Sequence, residues 1–134
     1  MELNEAIGLF QNQVSNMDSL WAYYSSAVLA VLGFTIASEK ATRSRHEIAA
    51  IQIGFALFSI GNAAAIAGSQ KSLIAISELI TSAGGAKELA EVFTVTQVII
   101  FHVVITLSVL LIIEVTYRYN KQLNKVSPKS SVPV

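Results

Sequence analysis

Few side chains in this 134-residue sequence could do chemistry, and the most suggestive of them stand in apolar surroundings. His102 lies in the 24-residue run TVTQVIIFHVVITLSVLLIIEVTY, residues 94–117, which has no Lys or Arg and a single acid, Glu114. Imidazole can change charge near neutral pH and can ligate metal or haem iron, so a histidine here raises a proton or ion pathway or a ligand site. Its neighbours argue against both. No carboxylate shares its depth to act as an acid–base partner. One such histidine per chain becomes a ligand set only when an oligomer brings several together.

Asn62, Ser25 and Ser26 are the other polar residues that fall well inside apolar runs. Counted from the outer end of its run, each lies at a similar depth, roughly 9–12 Å at 1.5 Å per residue. The expectation is a shared polar layer in which Ser25 or Ser26, Asn62 and His102 hydrogen-bond as structural glue. Gln97 and Thr106 flank it on the third helix. Such interhelical bonds contribute about 0.6 kcal/mol each on average.

Glu114 precedes Arg118 by four residues, the spacing of an ion pair on one helical face. The alternative is a carboxylate ring at the inner mouth of an oligomeric pore. His46 sits in a polar loop with no second ligand type at useful spacing. There is no cysteine, and no Ser–His–Asp set, HExxH, EF-hand loop or nucleotide fingerprint. The pair Gly84 and Gly85 lacks the context of a phosphate cradle. These absences lead to the expectation of no enzyme, no cofactor and no metal site. Zero net charge gives no pull toward nucleic acid.

The elements that carry these residues are long helices. The chain is 53% hydrophobic and 13% charged, about half the charge of a typical soluble domain. Leu3, Ile7, Phe10, Val14, Met17, Trp21, Tyr24, Val28 and Val31 alternate steps of four and three. That spacing holds one helical face from residue 3 to about 38, with an apolar span over 19–37. The seam reads as packing within the chain, and a homo-oligomeric coiled coil is the alternative. Trp21, Tyr23 and Tyr24 cluster where an interfacial aromatic belt belongs.

Ser44 and Glu47 form an S-x-x-E capping box, which starts a second helix at about 45. It runs to about 83, ends at Gly84 and Gly85, and carries a span over 48–68. A third helix is expected over 86–122 with its span at 94–117, followed by a flexible cytoplasmic tail at 125–134. Residues 1–124 then make one three-helix domain. Small residues line two of its faces: Ala22, Ser26, Ala30, Gly33 and Ala37 on the first helix, and Gly54, Gly61 and Gly68 on the second. In lipid such residues let backbones approach closely, so the second helix is expected to be the most buried.

Three spans divide the Lys and Arg residues two against seven, with Lys71 and Lys87 on the poorer side. The positive-inside rule places the N-terminus outside and the C-terminus in the cytoplasm of a cell (inner or plasma) membrane. The expected fold is all-α and polytopic, with three long transmembrane helices whose outer thirds form a small three-helix bundle in water. The bilayer is one expected partner, and further copies or other membrane subunits are the others. A small accessory or assembly subunit, or a scaffold, in a membrane complex is the first functional expectation. A homo-oligomeric channel is the alternative, and it needs His102, Thr106 or Glu114 to face a pore.

Overall fold

The computed structural model describes residues 2–38, 44–86 and 91–126. These residues form three helices: α1 (Leu3–Ala37), α2 (Arg45–Ser82) and α3 (Val95–Val126). All three are long and apolar enough to cross a membrane. At 1.5 Å per residue they measure about 52, 57 and 48 Å, well beyond a hydrocarbon core of about 30 Å. They run up, down and up, so Leu3, Ser82 and Val95 mark one end of the bundle, named outer after the sequence expectation, and Ala37, Arg45 and Val126 the other, named inner.

Local chemistry sets the helix ends. Before α2, the Ser44 side chain accepts the Glu47 N–H (3.2 Å) and the Glu47 carboxylate accepts the Ser44 N–H (2.9 Å), which is the expected capping box. After α2, Gly84 takes φ +85°, the left-handed region that favours glycine. Its N–H then bonds the Thr81 carbonyl (3.2 Å), while the Gly85 N–H bonds the Ile80 carbonyl (2.9 Å). This double closure is a Schellman motif, and a Cβ at Gly85 would stand 2.6 Å from Ile80 Cγ2.

The start of the third helix corrects the sequence expectation. It was placed at residue 86, yet residues 91–94 are not helical and α3 begins at Val95. A second capping box is the cause. Thr94 Oγ1 accepts the Gln97 N–H (3.2 Å), and Gln97 Oε1 accepts the Thr94 N–H (2.9 Å). Among the described residues the outer end is therefore a hairpin of α1 and α2, with residues 91–94 laid beside it, and not three packed helices. Val92 packs on the cluster of Met17, Ile66, Leu73 and Val98, and the Gln70 amide donates to the Phe93 carbonyl. At the other end α3 runs to Val126, four residues past the expected stop. Residues 39–43 of the first turnaround, Leu89 of the expected outer bundle and tail residues 127–134 lie outside the described residues.

Three apolar clusters stack along the bundle. Ala6 and Ile80 meet at the outer tip. Met17, Ile66, Leu73 and Val98 fill the middle. Tyr24, Ile48, Phe55, Val109, Ile113 and Tyr117 fill the inner half. The α1 seam points into these clusters, so it serves packing within the chain; Val14 departs from it and is exposed. Around the inner half, large apolar side chains face outward on every helix, among them Leu29, Phe34, Ile53, Leu57, Ile60, Ile100, Leu107, Leu111 and Val115. The outer hairpin instead exposes Glu5, Asn12, Asn16, Asp18, Lys71 and Glu78.

The small-residue faces also look outward. Ala22, Ser26, Ala30 and Gly33 are exposed, as are Gly54, Gly61 and Gly68. A Cβ added at any of these four glycines would meet nothing within 4 Å. Close approach of the chain's own helices does not depend on them.

Candidate functional site

The polar side chains that bring the helices together form a line of clasps along the bundle, with the densest group around His102. α3 carries His102 into the bundle, where it is 1% exposed. Its Nε2 lies 3.0 Å from the Ser59 carbonyl of α2. A carbonyl can only accept, so Nε2 carries the proton and, in the neutral ring, Nδ1 carries the lone pair. The imidazole lies under the Tyr24 ring at a centroid distance of 4.1 Å, with Trp21 at 5.9 Å.

A second chain of bonds runs from α1 to α3. The Thr106 hydroxyl donates to the His102 carbonyl (2.9 Å), which uses its one proton. The Tyr24 hydroxyl, 2.7 Å from Thr106 Oγ1, must then donate to it. Tyr24 is buried within the inner cluster and does not join the interfacial belt, while Tyr23 beside it is exposed.

Of the expected polar layer, the structure brings Asn62 and His102 to the interior but not the two serines. Ser25 and Ser26 follow the inward Tyr24 by about 100° and 200° of helical rotation, so both turn out of the bundle. Ser26 Oγ bonds its own helix at the Ala22 carbonyl (2.8 Å). Thr106 reaches the site, whereas Gln97 caps α3 instead. Among the described residues, three buried side-chain polar atoms have no hydrogen-bond partner: Ser59 Oγ, Asn62 Nδ2 and His102 Nδ1.

Other clasps join the helices above and below. Gln13 of α1 donates to Ser69 Oγ (2.8 Å), and Gln52 of α2 reaches the Leu110 carbonyl (3.4 Å). Gln13, Gln52 and Gln70 lie outside the polar layer expected from the sequence, although helical spacing marks them. Gln13 stands three after Phe10 and four before Met17, and Gln70 stands four after Ile66 and three before Leu73. Glu114 does pair with Arg118 (2.8 Å), and its other oxygen accepts from Arg45 at the start of α2. The carboxylate thus joins two helices and holds two cations.

Chemically, this arrangement binds helices to one another. No carboxylate of the described residues touches His102, and Glu114 lies twelve residues, about 18 Å, along the same helix. Among the described residues, no group of three or more His, Asp and Glu could hold a metal ion. Comparison with protein families, curated proteins and solved structures found no match for this chain.

Proposed function

We propose that the chain is a multi-pass membrane protein that acts by helix–helix association, as an accessory or assembly subunit, or a scaffold, of a membrane complex. The apolar belt on all three helices would lie in the bilayer. The charge count along the sequence favours the N-terminus outside and the C-terminus in the cytoplasm of a cell (inner or plasma) membrane. One observation carries the functional reading: the small-residue faces of α1 and α2 are left open by the chain's own fold. Small residues permit close backbone approach, the main source of helix association where lipid removes the hydrophobic drive. On α1, Ala22, Ser26 and Ala30 line a shallow outward groove closed on one side by Phe58.

The arrangement of polar groups favours this reading over a channel. A pore shared by several copies needs polar side chains on an outward face. Tyr24, Ser59 and His102 instead turn into the single chain, and Glu114 is engaged by two arginines. The test is the mass of the purified protein in detergent, alone and from native membranes, with current recording in a planar bilayer. The wild type is expected as a defined assembly, with itself or with other membrane subunits, that Ala30→Leu or Gly61→Leu disperses without loss of helix content. A ring that conducts, and whose conductance falls in His102→Leu, would overturn the proposal in favour of the channel.

A further inference from the structure

Where α2 begins and α3 leaves the apolar belt, cations outnumber the acid that holds them. The Glu114 carboxylate accepts one N–H from Arg45 and one from Arg118. Arg45 and Lys121 also lie 5.7 and 5.8 Å from the centroid of the Tyr117 ring. Three cations are therefore gathered by one carboxylate and one ring. Glu47, also at the start of α2, is engaged by its own helix cap. Each guanidinium carries five N–H donors and gives one to Glu114, so most remain for another acceptor.

The Arg45 and Arg118 side chains are 58% and 73% exposed, and Tyr117, which lies beneath Arg45 and Lys121, is buried. Glu114 and the Tyr117 ring thus hold the cations in place while leaving their donors accessible. Leu111 and Val115 stand seven and three positions before Arg118, on the same helical face, and both are exposed. An occupant needs acceptor oxygens and negative charge at one end and an apolar body running along that face at the other. Guanidinium and phosphate match as bidentate partners, and basic pockets at the cytoplasmic ends of spans suit lipid head groups.

We propose that Arg45, Arg118 and Lys121, gathered by Glu114 and Tyr117, hold the phosphate of an anionic phospholipid whose acyl chains lie against Leu111 and Val115. The proposal shares one premise with the proposed function, the bilayer placement of the apolar belt, and does not depend on which partner covers the small-residue faces.

The experiment is native mass spectrometry of the full chain with phosphatidylglycerol or phosphatidylcholine of equal chain length, with carbonate extraction of the same proteins from membranes. The wild type should retain phosphatidylglycerol about tenfold more than phosphatidylcholine. Arg118→Gln with Lys121→Gln should abolish most of that preference, and Lys71→Gln, at the opposite end of the bundle, should keep it. Arg45 is left intact because it also joins α2 to α3, and unchanged helix content shows that the double variant folds. The proposal is overturned by a wild type without preference, by a double variant that keeps it, or by displacement of the lipid with millimolar glycerol phosphate, which would mark a site for soluble anions. A chain that stays in the membrane without lipid preference defeats this inference alone; a chain that carbonate removes defeats the bilayer placement as well.

Discussion

His102 is the side chain whose type most invites a functional role, and the fold uses it to connect helices. Its Nε2 reaches α2 and its backbone carbonyl receives the Thr106 hydroxyl, which receives the Tyr24 hydroxyl in turn. Tyr24→Phe removes the α1 end of this chain and little else. It should cost about 0.6–1.7 kcal/mol, the range for bonds between helices in lipid, read from reversible unfolding in mixed micelles. No loss would mean that the bond does not form. Asn62 gives the opposite expectation. Its amide nitrogen is buried without a partner, and an unmet donor costs about 1–3 kcal/mol. Asn62→Leu should therefore leave stability unchanged or raise it, and a clear loss would show that Asn62 is a working clasp. Asn62 and His102 were legible as interior polar residues because each interrupts an apolar run. Ser25 and Ser26 share their depth, so depth alone does not distinguish them from Asn62 and His102. Helical phase relative to Tyr24 decides which way Ser25 and Ser26 point.

Helix boundaries could be read wherever a cap has its own chemistry. The Ser44–Glu47 box and the Gly84–Gly85 ending placed α2 within one residue of its observed limits. The start of α3 was missed although Thr94 and Gln97 have the same spacing as Ser44 and Glu47. The box is set at the head of a long apolar run, and the apolar Val92 and Phe93 before it invite the helix to be extended backward. Thr94→Val removes the side-chain acceptor for the Gln97 N–H and should destabilise the first turn of α3 by about 0.5–2 kcal/mol. Hydrogen exchange at Thr96, Gln97 and Val98 should quicken while the middle of α3 stays protected. Unchanged exchange would indicate a helix that begins earlier than Val95. The cap also limits the outer end to two helices, and Gln70 and Val92 fasten residues 91–94 beside them.

At the scale of the molecule, two surfaces need different solvents. The inner half exposes large Leu, Ile, Val and Phe side chains on all three helices, where soluble monomers keep exposed apolar patches small. The outer hairpin exposes acids, amides and Lys71. Exposed Phe93, just before α3, and exposed Tyr119 near its far end bracket the stretch of helix from Val95 to Tyr119, roughly 36 Å long, close to the separation of the two interfaces of a bilayer. Composition and run length made this division legible. The direction of the small-residue faces was not, since Gly54, Gly61 and Gly68 suit contact with the chain's own helices and contact with another chain equally well. Only the packed position of Phe55, Ser59 and Ile66 turns those glycines outward.

Three crossings with the two chain ends on opposite sides underlie the membrane placement and the roles proposed from it. The chain has no cysteine, so single cysteines report without background. Asn4→Cys and Gln122→Cys occupy exposed positions at opposite ends of the bundle, and each is treated in intact cells with a maleimide that cannot cross the membrane. Asn4→Cys should label at once, and Gln122→Cys only after the membrane is opened. Labelling of both from the outside, or protection of both until the membrane is opened, would contradict three crossings.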